Sequence, residues 1–308
     1  MKKIMSTVLA AVIAGSAFLA AGCGSSSSSS ASNGGSTADM SGMITGSGSS
    51  ALLPLAQDAA KAFKAKYPNV SITLNAGGSG NGLKQVSDGS VAIGNSDVFA
   101  ESKLSADKAK GLVDHKVCTV TMAPVVNNDV GEKVKNLTKQ QLISIFTAQT
   151  KNWKEVGGPD EPIVLITRPK TSGTRALFTQ YALDGKQEAS NATLETDNSG
   201  TLLQSIQENK GAIGYVALSY LIGGNKSKVT AVAIDGAEPT LENTYNGKYQ
   251  VWGYEHMYTK GTAEGAVKAY INFISSDEYG KKMESLGYGV TSKMASSVVS
   301  KRDAEGKK

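Results

Sequence analysis

The stretch MITGSGSSALLPLAQDAAKAFKAKYPNVSITLNAGG, Met43 to Gly78, decides the fold class. It opens on a short strand that ends in glycines and serines. It continues with ALLPLAQDAAKAFKAKY, whose apolar residues recur at helical spacing until Pro68 stops them, and it closes on a second strand, VSITLNAGG. Strand, helix and strand in this order make a βαβ unit. Outward from there, GNGLKQVSDGS reads as a loop and a helix, and VAIGNSD as a third strand. The same grammar runs on through VCTVTMAPVVNN, LTKQQLISIFTA, EPIVLITRP, TRALFTQYAL, TLLQSIQEN and GAIGYVALSYL. Near the end YQVWGYEHMYT is strand-like, and EGAVKAYINFISSDEYGKKMESLG supplies one or two helices. The expected architecture is α/β, with mixed, mostly parallel sheets flanked by helices.

Two extended apolar segments, around Val120 to Val126 and Tyr249 to Tyr258, bracket the middle third of the chain. A chain that leaves one lobe and later returns to it crosses a hinge twice, at places like these. The expectation is therefore a discontinuous first lobe, residues 43–122 with 252–308, and a second lobe, 123–251. The 308 residues are enough for either one large or two medium cores.

The beginning of the chain belongs to another kind of sequence. MKKIMSTVLAAVIAGSAFLAAGC has a basic start, an apolar run and small residues before Cys23, the order of an export signal over residues 1–22. A spanning helix is the competing reading, and the lack of a basic cluster behind the run argues against it. The ending AFLAAGC resembles a bacterial lipobox, in which Cys23 becomes the lipidated first residue, although Leu19 sits one place further upstream than the usual leucine. Residues 23–42 then form a Ser/Gly tether too polar to bury anything. With Cys23 so used, Cys118 is the one thiol left, no internal disulfide is expected, and its strand-like context KVCTVTMAP marks it as a core thiol. His115 and His256 have no ligand-spaced partners, so neither a metal nor another cofactor is expected. The formal charge of +5 includes Lys2 and Lys3 of the leader, and the remaining excess is too small to suggest nucleic acid.

Four strand-end loops carry the chemistry: GSGSS (Gly46 to Ser50), GGSGNG (Gly77 to Gly82), GNSD (Gly94 to Asp97) and TSGTR (Thr171 to Arg175). Three of them run into helices. At a helix start several backbone N–H groups lack an internal partner and the dipole is positive, so such a turn attracts an anion. Each loop alone reads equally as a cap or a turn. Four together, at the strand ends where α/β folds bind ligands, point to one anion site. Arg168 and Arg175 supply permanent charge in a planar fork suited to a tetrahedral oxyanion, and Arg168 closes the apolar strand PIVLIT, where solvent exposure is unnatural. GGSGNGLKQ is not a nucleotide P-loop, because its lysine is displaced and no Ser/Thr follows it.

On ITGSGSS, GGSGNGLKQ, IGNSD, LTKQQLISIFTAQTKNWKEVGG, RPKTSGTR, KGAIGYVALSYL and YEHMYTKG, the chain resembles the PstS family, the phosphate-binding lipoproteins of bacterial phosphate ABC transporters. The resemblance covers nearly all of residues 43–290. It implies a two-lobe type II periplasmic-binding-protein fold with a hinged cleft. Carried over by position, it implies phosphate contacts at Ser50 with the Ala51 amide, at Ser79, at Asp97 and at Arg168, Ser172, Gly173 and Thr174, with a further contact from Arg175. It implies a monomer, tethered to the membrane outside the cytoplasm by its lipid, that captures inorganic phosphate and hands it to transmembrane permease subunits. Ser50 and Ala51 stand where many members have threonine and an aromatic. Lys170 stands where several carry an acidic residue that steadies the arginine, which leaves the orientation of Arg168 an open point.

Asp97 separates the candidate ligands. Two negative charges in contact repel strongly in a dehydrated cleft, so a carboxylate there makes sense only if the ligand brings a proton. Hydrogen phosphate has an O–H to donate and sulfate at neutral pH has none. The competing reading is that Asp97 caps the segment VFAESKLSADKAK. A site for sulfate or molybdate is the alternative binding function. A hydrolase using Ser172 or Ser50 would need a base, yet there is no G-x-S-x-G elbow and neither histidine is near a serine loop. A surface adhesin would explain the tether but not the four loops.

Overall fold

The computed structural model describes residues 40–306. The export signal, Cys23 and almost all of the tether lie outside the described residues. Eleven strands are present among them: β1 (Gly42–Gly48), β2 (Val70–Ala76), β3 (Ile93–Ser96), β4 (Leu112–Val126), β5 (Asn136–Leu137), β6 (Val164–Thr167), β7 (Leu194–Glu195), β8 (Ala212–Ala217), β9 (Thr230–Ala231), β10 (Ala233–Ile234) and β11 (Trp252–Lys260). Nine of them form one sheet in the order β2-β1-β3-β11-β4-β8-β6-β7, with β9 beside β4, while β10 and β5 make a separate pair.

The flanks of this sheet are parallel, as the βαβ grammar requires: β1 with β2 and β3 on one side, β6 with β7 and β8 on the other. The middle is antiparallel. There β4 changes partner along its length, pairing over Leu112–Thr121 with β11 and over Met122–Val126 with β8. Its burial rises along its length, from a partly exposed start to continuous burial from Val117 onward.

Helices cover the sheet with their apolar faces. The Leu53–Lys66 helix has Pro54 in its first turn, where the missing N–H costs nothing, and buries Leu55, Ala56, Ala59, Ala60 and Phe63 along one side. These pack with Ile44, Tyr270, Ile274 and Met283 into a core beside β1. A second core, around Phe146, Trp153, Phe178 and Tyr215, lies on the β8 side. The long final segment gives two helices, Gly265–Ile274 and Asp277–Ser285. Sequence reading passes over the short strands β5, β7, β9 and β10, the short helix Leu241–Tyr245 and, at greater length, the helix Ser296–Gly306. Its composition is polar, and it is pinned mainly through Arg302, whose guanidinium stacks on the rings of Tyr181 and Trp252 at 3.4 and 4.4 Å. Among the described residues no helix is long and apolar enough to cross a membrane.

Candidate anion site

Because β1, β2 and β3 run parallel, their C-terminal ends reach one edge together and bring three of the four loops with them. Gly48 holds the bundle: its carbonyl accepts the N–H groups of Gly77 and Gly78 at 3.0 and 2.9 Å. Its φ of +133° suits glycine alone, and a Cβ there would strike the Asn95 backbone. From this edge project Ser50, Ser79 and Asp97, all buried. Ser79 opens the Ser79–Asp88 helix, and its hydroxyl both donates to Asp97 Oδ1 at 3.3 Å and accepts from the Asp97 N–H at 3.0 Å.

The fourth loop comes from the other flank. β6 ends at Thr167, Arg168 follows at 0 % exposure, and Thr171 to Arg175 turn into the helix Gly173–Tyr181. Thr174 donates from Oγ1 to Asp97 Oδ2 at 2.8 Å, and the Gly80 N–H donates to the Thr171 carbonyl at 2.9 Å. Gly173 lies directly against Ser79 and Asp97, where any Cβ would collide with the Ser79 hydroxyl. The loops that sequence reading singled out thus meet at one place.

Arg168 is oriented by neutral acceptors. Its Nε donates to the Thr196 carbonyl at 3.0 Å and its Nη2 to the Asp197 carbonyl at 2.9 Å, while Ser199 and Ser50 hydroxyls sit at 3.2 and 3.3 Å. Of five guanidinium N–H groups, these contacts engage four. Burial works against its charge, while Tyr215 and Asp97 are among the neighbours that favour it. The result is a dry cation beside a ring of hydroxyls and backbone amides, suited to holding an oxyanion.

Comparison with known proteins agrees with this chemistry. A family model described as PBP superfamily domain matches residues 26–278. The phosphate-binding protein PstS of Bacillus subtilis (strain 168) is 46 % identical over 279 residues, 90 % of each chain. The chain belongs to the PstS family of phosphate-binding proteins. Among solved structures, a Clostridium perfringens protein assigned as a phosphate ABC transporter substrate-binding protein, with bound phosphate, superposes with a TM-score of 0.72 at 32 % identity, covering 80 % of this chain and 98 % of that one. An ABC-type phosphate transport receptor from Vibrio cholerae gives 0.62 at 26 % identity, over 80 % and 99 %. The family is one of substrate-binding proteins rather than enzymes, and its fold is the two-lobe type II periplasmic-binding-protein fold.

Within this PstS frame, several residues take roles that sequence reading did not give them. Ser172 is the N-cap of its helix, its Oγ accepting from the Arg175 N–H at 3.2 Å. The Arg175 guanidinium engages acceptors within the protein: Nε lies 3.3 Å from Glu188, and Nη1 lies 3.6 Å from Glu195 and donates to the Arg168 carbonyl at 2.5 Å. Ala51 is fully buried in the second core, and its carbonyl accepts from the Tyr288 hydroxyl. Lys170 is exposed, and its carbonyl accepts from Lys103 Nζ at 2.8 Å, so it takes no part in orienting Arg168. The two carbonyls after β7 perform that task instead.

Sequence reading missed Ser199, which is fully buried and whose Oγ lies 3.0 Å from that of Ser50. The signal was present: DNSGT, Asp197 to Thr201, has the same small polar run into a helix as the four loops. It also missed Tyr220, which donates to the Ser50 carbonyl at 2.7 Å and is held as a phenol by burial, its pKa pushed up to about 12. Glu188 is a third omission, a buried carboxyl that desolvation raises to about 7 against the pull of Arg175.

Proposed function

We propose that this chain captures inorganic phosphate between its two flanks and delivers it to the membrane permease of an ABC transporter. In this reading the Ser50 and Ser172 hydroxyls and the backbone N–H groups of Ala51, Ser79, Gly173 and Thr174 donate to the phosphate oxygens, since the Ser79 and Thr174 hydroxyls already donate to Asp97. Arg168 balances the charge of the phosphate, and Asp97 accepts its hydrogen. Arg175 braces Arg168 and need not touch the ligand. The observation that carries the reading is Asp97 itself, a 2 %-exposed carboxylate set among donors, with Arg168 close enough to feel its charge. Ser79 and Thr174 occupy part of its acceptor capacity, and a carboxylate has roughly four lone-pair sites. A ligand that brings its own hydrogen fills a further one, and a ligand that brings none meets like charge.

In this proposal the lobes divide at 122/123 and 251/252; the exchange of β11 for β8 along β4 and the start of β11 at Trp252 support that reading. Donors come from both lobes, so opening about those strands would release the ligand. A lipid on Cys23, with residues 24–42 as tether, would hold the chain as a monomer outside the cytoplasm near its permease.

Calorimetry of phosphate and sulfate binding to the parent and to Asp97→Asn tests the reading. The parent is expected to prefer phosphate strongly. Asn, which offers one acceptor and one donor, is expected to weaken phosphate about tenfold and to admit sulfate or arsenate, because its N–H suits an oxyanion without a hydrogen. An unchanged phosphate-to-sulfate ratio in the variant would remove Asp97 from ligand recognition, and a parent that binds both anions equally would overturn the phosphate assignment.

A further inference from the structure

Behind Asp97 lies a second carboxyl. Glu255, on β11, is 0 % exposed and pairs in register with Cys118 of β4, at the point where β11 bulges before His256. Among the described residues no hydrogen-bond donor in proper geometry reaches either of its carboxyl oxygens, and no cation pairs with it. β11 runs antiparallel to β3 with His256 opposite Ser96, so the next step along the two chains sets Glu255 opposite Asp97. The other groups that act on it are the Ser49 hydroxyl, the Cys118 thiol and the phenols of Tyr220 and Tyr288. Both phenols spend their hydrogens elsewhere, Tyr220 on the Ser50 carbonyl at 2.7 Å and Tyr288 on the Ala51 carbonyl at 2.5 Å.

Two carboxyls in contact in a dry interior cannot both ionise, and the proton goes to the one with fewer donors and no cation. Asp97 has the Ser79 and Thr174 hydroxyls and the charge of Arg168. Glu255 has none of these. Burial first, and Asp97 second, push the Glu255 carboxyl well above the ordinary range.

We propose that Glu255 is a specificity-determining residue of the anion site: a neutral carboxylic acid that donates its hydrogen to Asp97 and so keeps Asp97 ionised and hungry for the hydrogen of its ligand. This rests on the phosphate reading of Asp97. It also explains why the site tolerates a second acid, since the neutral form adds no negative charge against the incoming anion. Without that donor an Asp97 oxygen loses the partner that fixes it, and its hold on the hydrogen of the ligand, the basis of discrimination against an oxyanion that brings none, weakens.

The experiment measures phosphate and sulfate binding to the full-length chain at pH 5.5 and pH 8.5 in the parent, Glu255→Gln and Glu255→Met. Gln keeps a donor toward Asp97, so its phosphate-over-sulfate ratio is expected to stay within about threefold of the parent at both pH values. Met offers none, and its ratio is expected to fall about tenfold or more below that of the parent at the same pH, a comparison in which the protonation of phosphate itself cancels. Infrared difference spectra between parent and Glu255→Gln at pH 7.5 are expected to show the C=O stretch of a protonated carboxylic acid that the variant loses. That arm stands even if Glu255→Met does not fold. An ionised Glu255, a Gln variant that loses discrimination, or a folded Met variant that keeps it at both pH values would overturn the proposal. A parent with no preference for phosphate would instead overturn the reading beneath it.

Discussion

Arg168 and Arg175 lie on either side of one loop and have opposite surroundings. Arg168 is fully buried among neutral acceptors, two carbonyls and two hydroxyls, and forms no ion pair among the described residues. Arg175 faces two carboxylates, Glu188 and Glu195, besides the Arg168 carbonyl. Neutral acceptors orient a guanidinium without spending its charge, whereas carboxylates spend it. The arginine that can bind an anion is therefore the one the protein has aimed but not neutralised. The other holds it in place from behind.

Substituting Arg168 tests this contrast most severely. Arg168→Met removes a fully buried cation that no carboxylate salt-bridges among the described residues and leaves the Thr196 and Asp197 carbonyls without these donors. Loss of a buried, hydrogen-bonded charge costs about 4 kcal/mol, so phosphate affinity should drop by about 10³-fold in calorimetry. A fall of less than tenfold would mean that the hydroxyls and amides bind the anion alone, and the distinction between the two arginines would collapse.

Glu188 sharpens the other side of the contrast through stability. Its folded pKa of about 7 stands above the ordinary 4.5, so between those values the folded chain keeps a proton that the unfolded chain has lost. Stability therefore falls as pH rises through that window and levels off above it. The shift corresponds to roughly 3 kcal/mol at most. Urea unfolding of Glu188→Gln from pH 4.5 to 8 should show this slope reduced, with the variant gaining on the parent as pH rises. A parent curve that is flat across the window would mean that Arg175 keeps Glu188 ionised throughout.

How much of this could be read beforehand follows from what leaves a mark on sequence. Loops of small polar residues at strand ends are conspicuous, and Arg168 stood out because a charge closed an apolar strand. The contacts that aim Arg168 were silent, because the Thr196 and Asp197 carbonyls belong to the backbone and any residue carries one. Glu255 was hidden for another reason: β11 is buried on both faces from Trp252 to Thr259, so no in-and-out alternation marks which side its carboxyl occupies. The antiparallel centre was equally silent, since βαβ grammar says nothing about two strands that return by long connections. The last helix, SSVVSKRDAEG, is too polar to announce itself and depends on tertiary contacts of Arg302 that its own residues do not predict.

The smallest expected effect separates bracing from binding. Arg175→Met removes the N–H that grips the Arg168 carbonyl, but the guanidinium of Arg168 keeps its four own contacts. Glu188, robbed of its cation, is not left as an uncompensated charge, because a carboxyl already raised to about 7 can take up a proton at neutral pH. The damage should therefore appear as a looser site: phosphate affinity lower by about tenfold or less, with the preference over sulfate retained because Asp97 is untouched. A loss matching that of Arg168→Met would place Arg175 on the ligand itself, and the loop would then carry two binding cations instead of a cation and its brace.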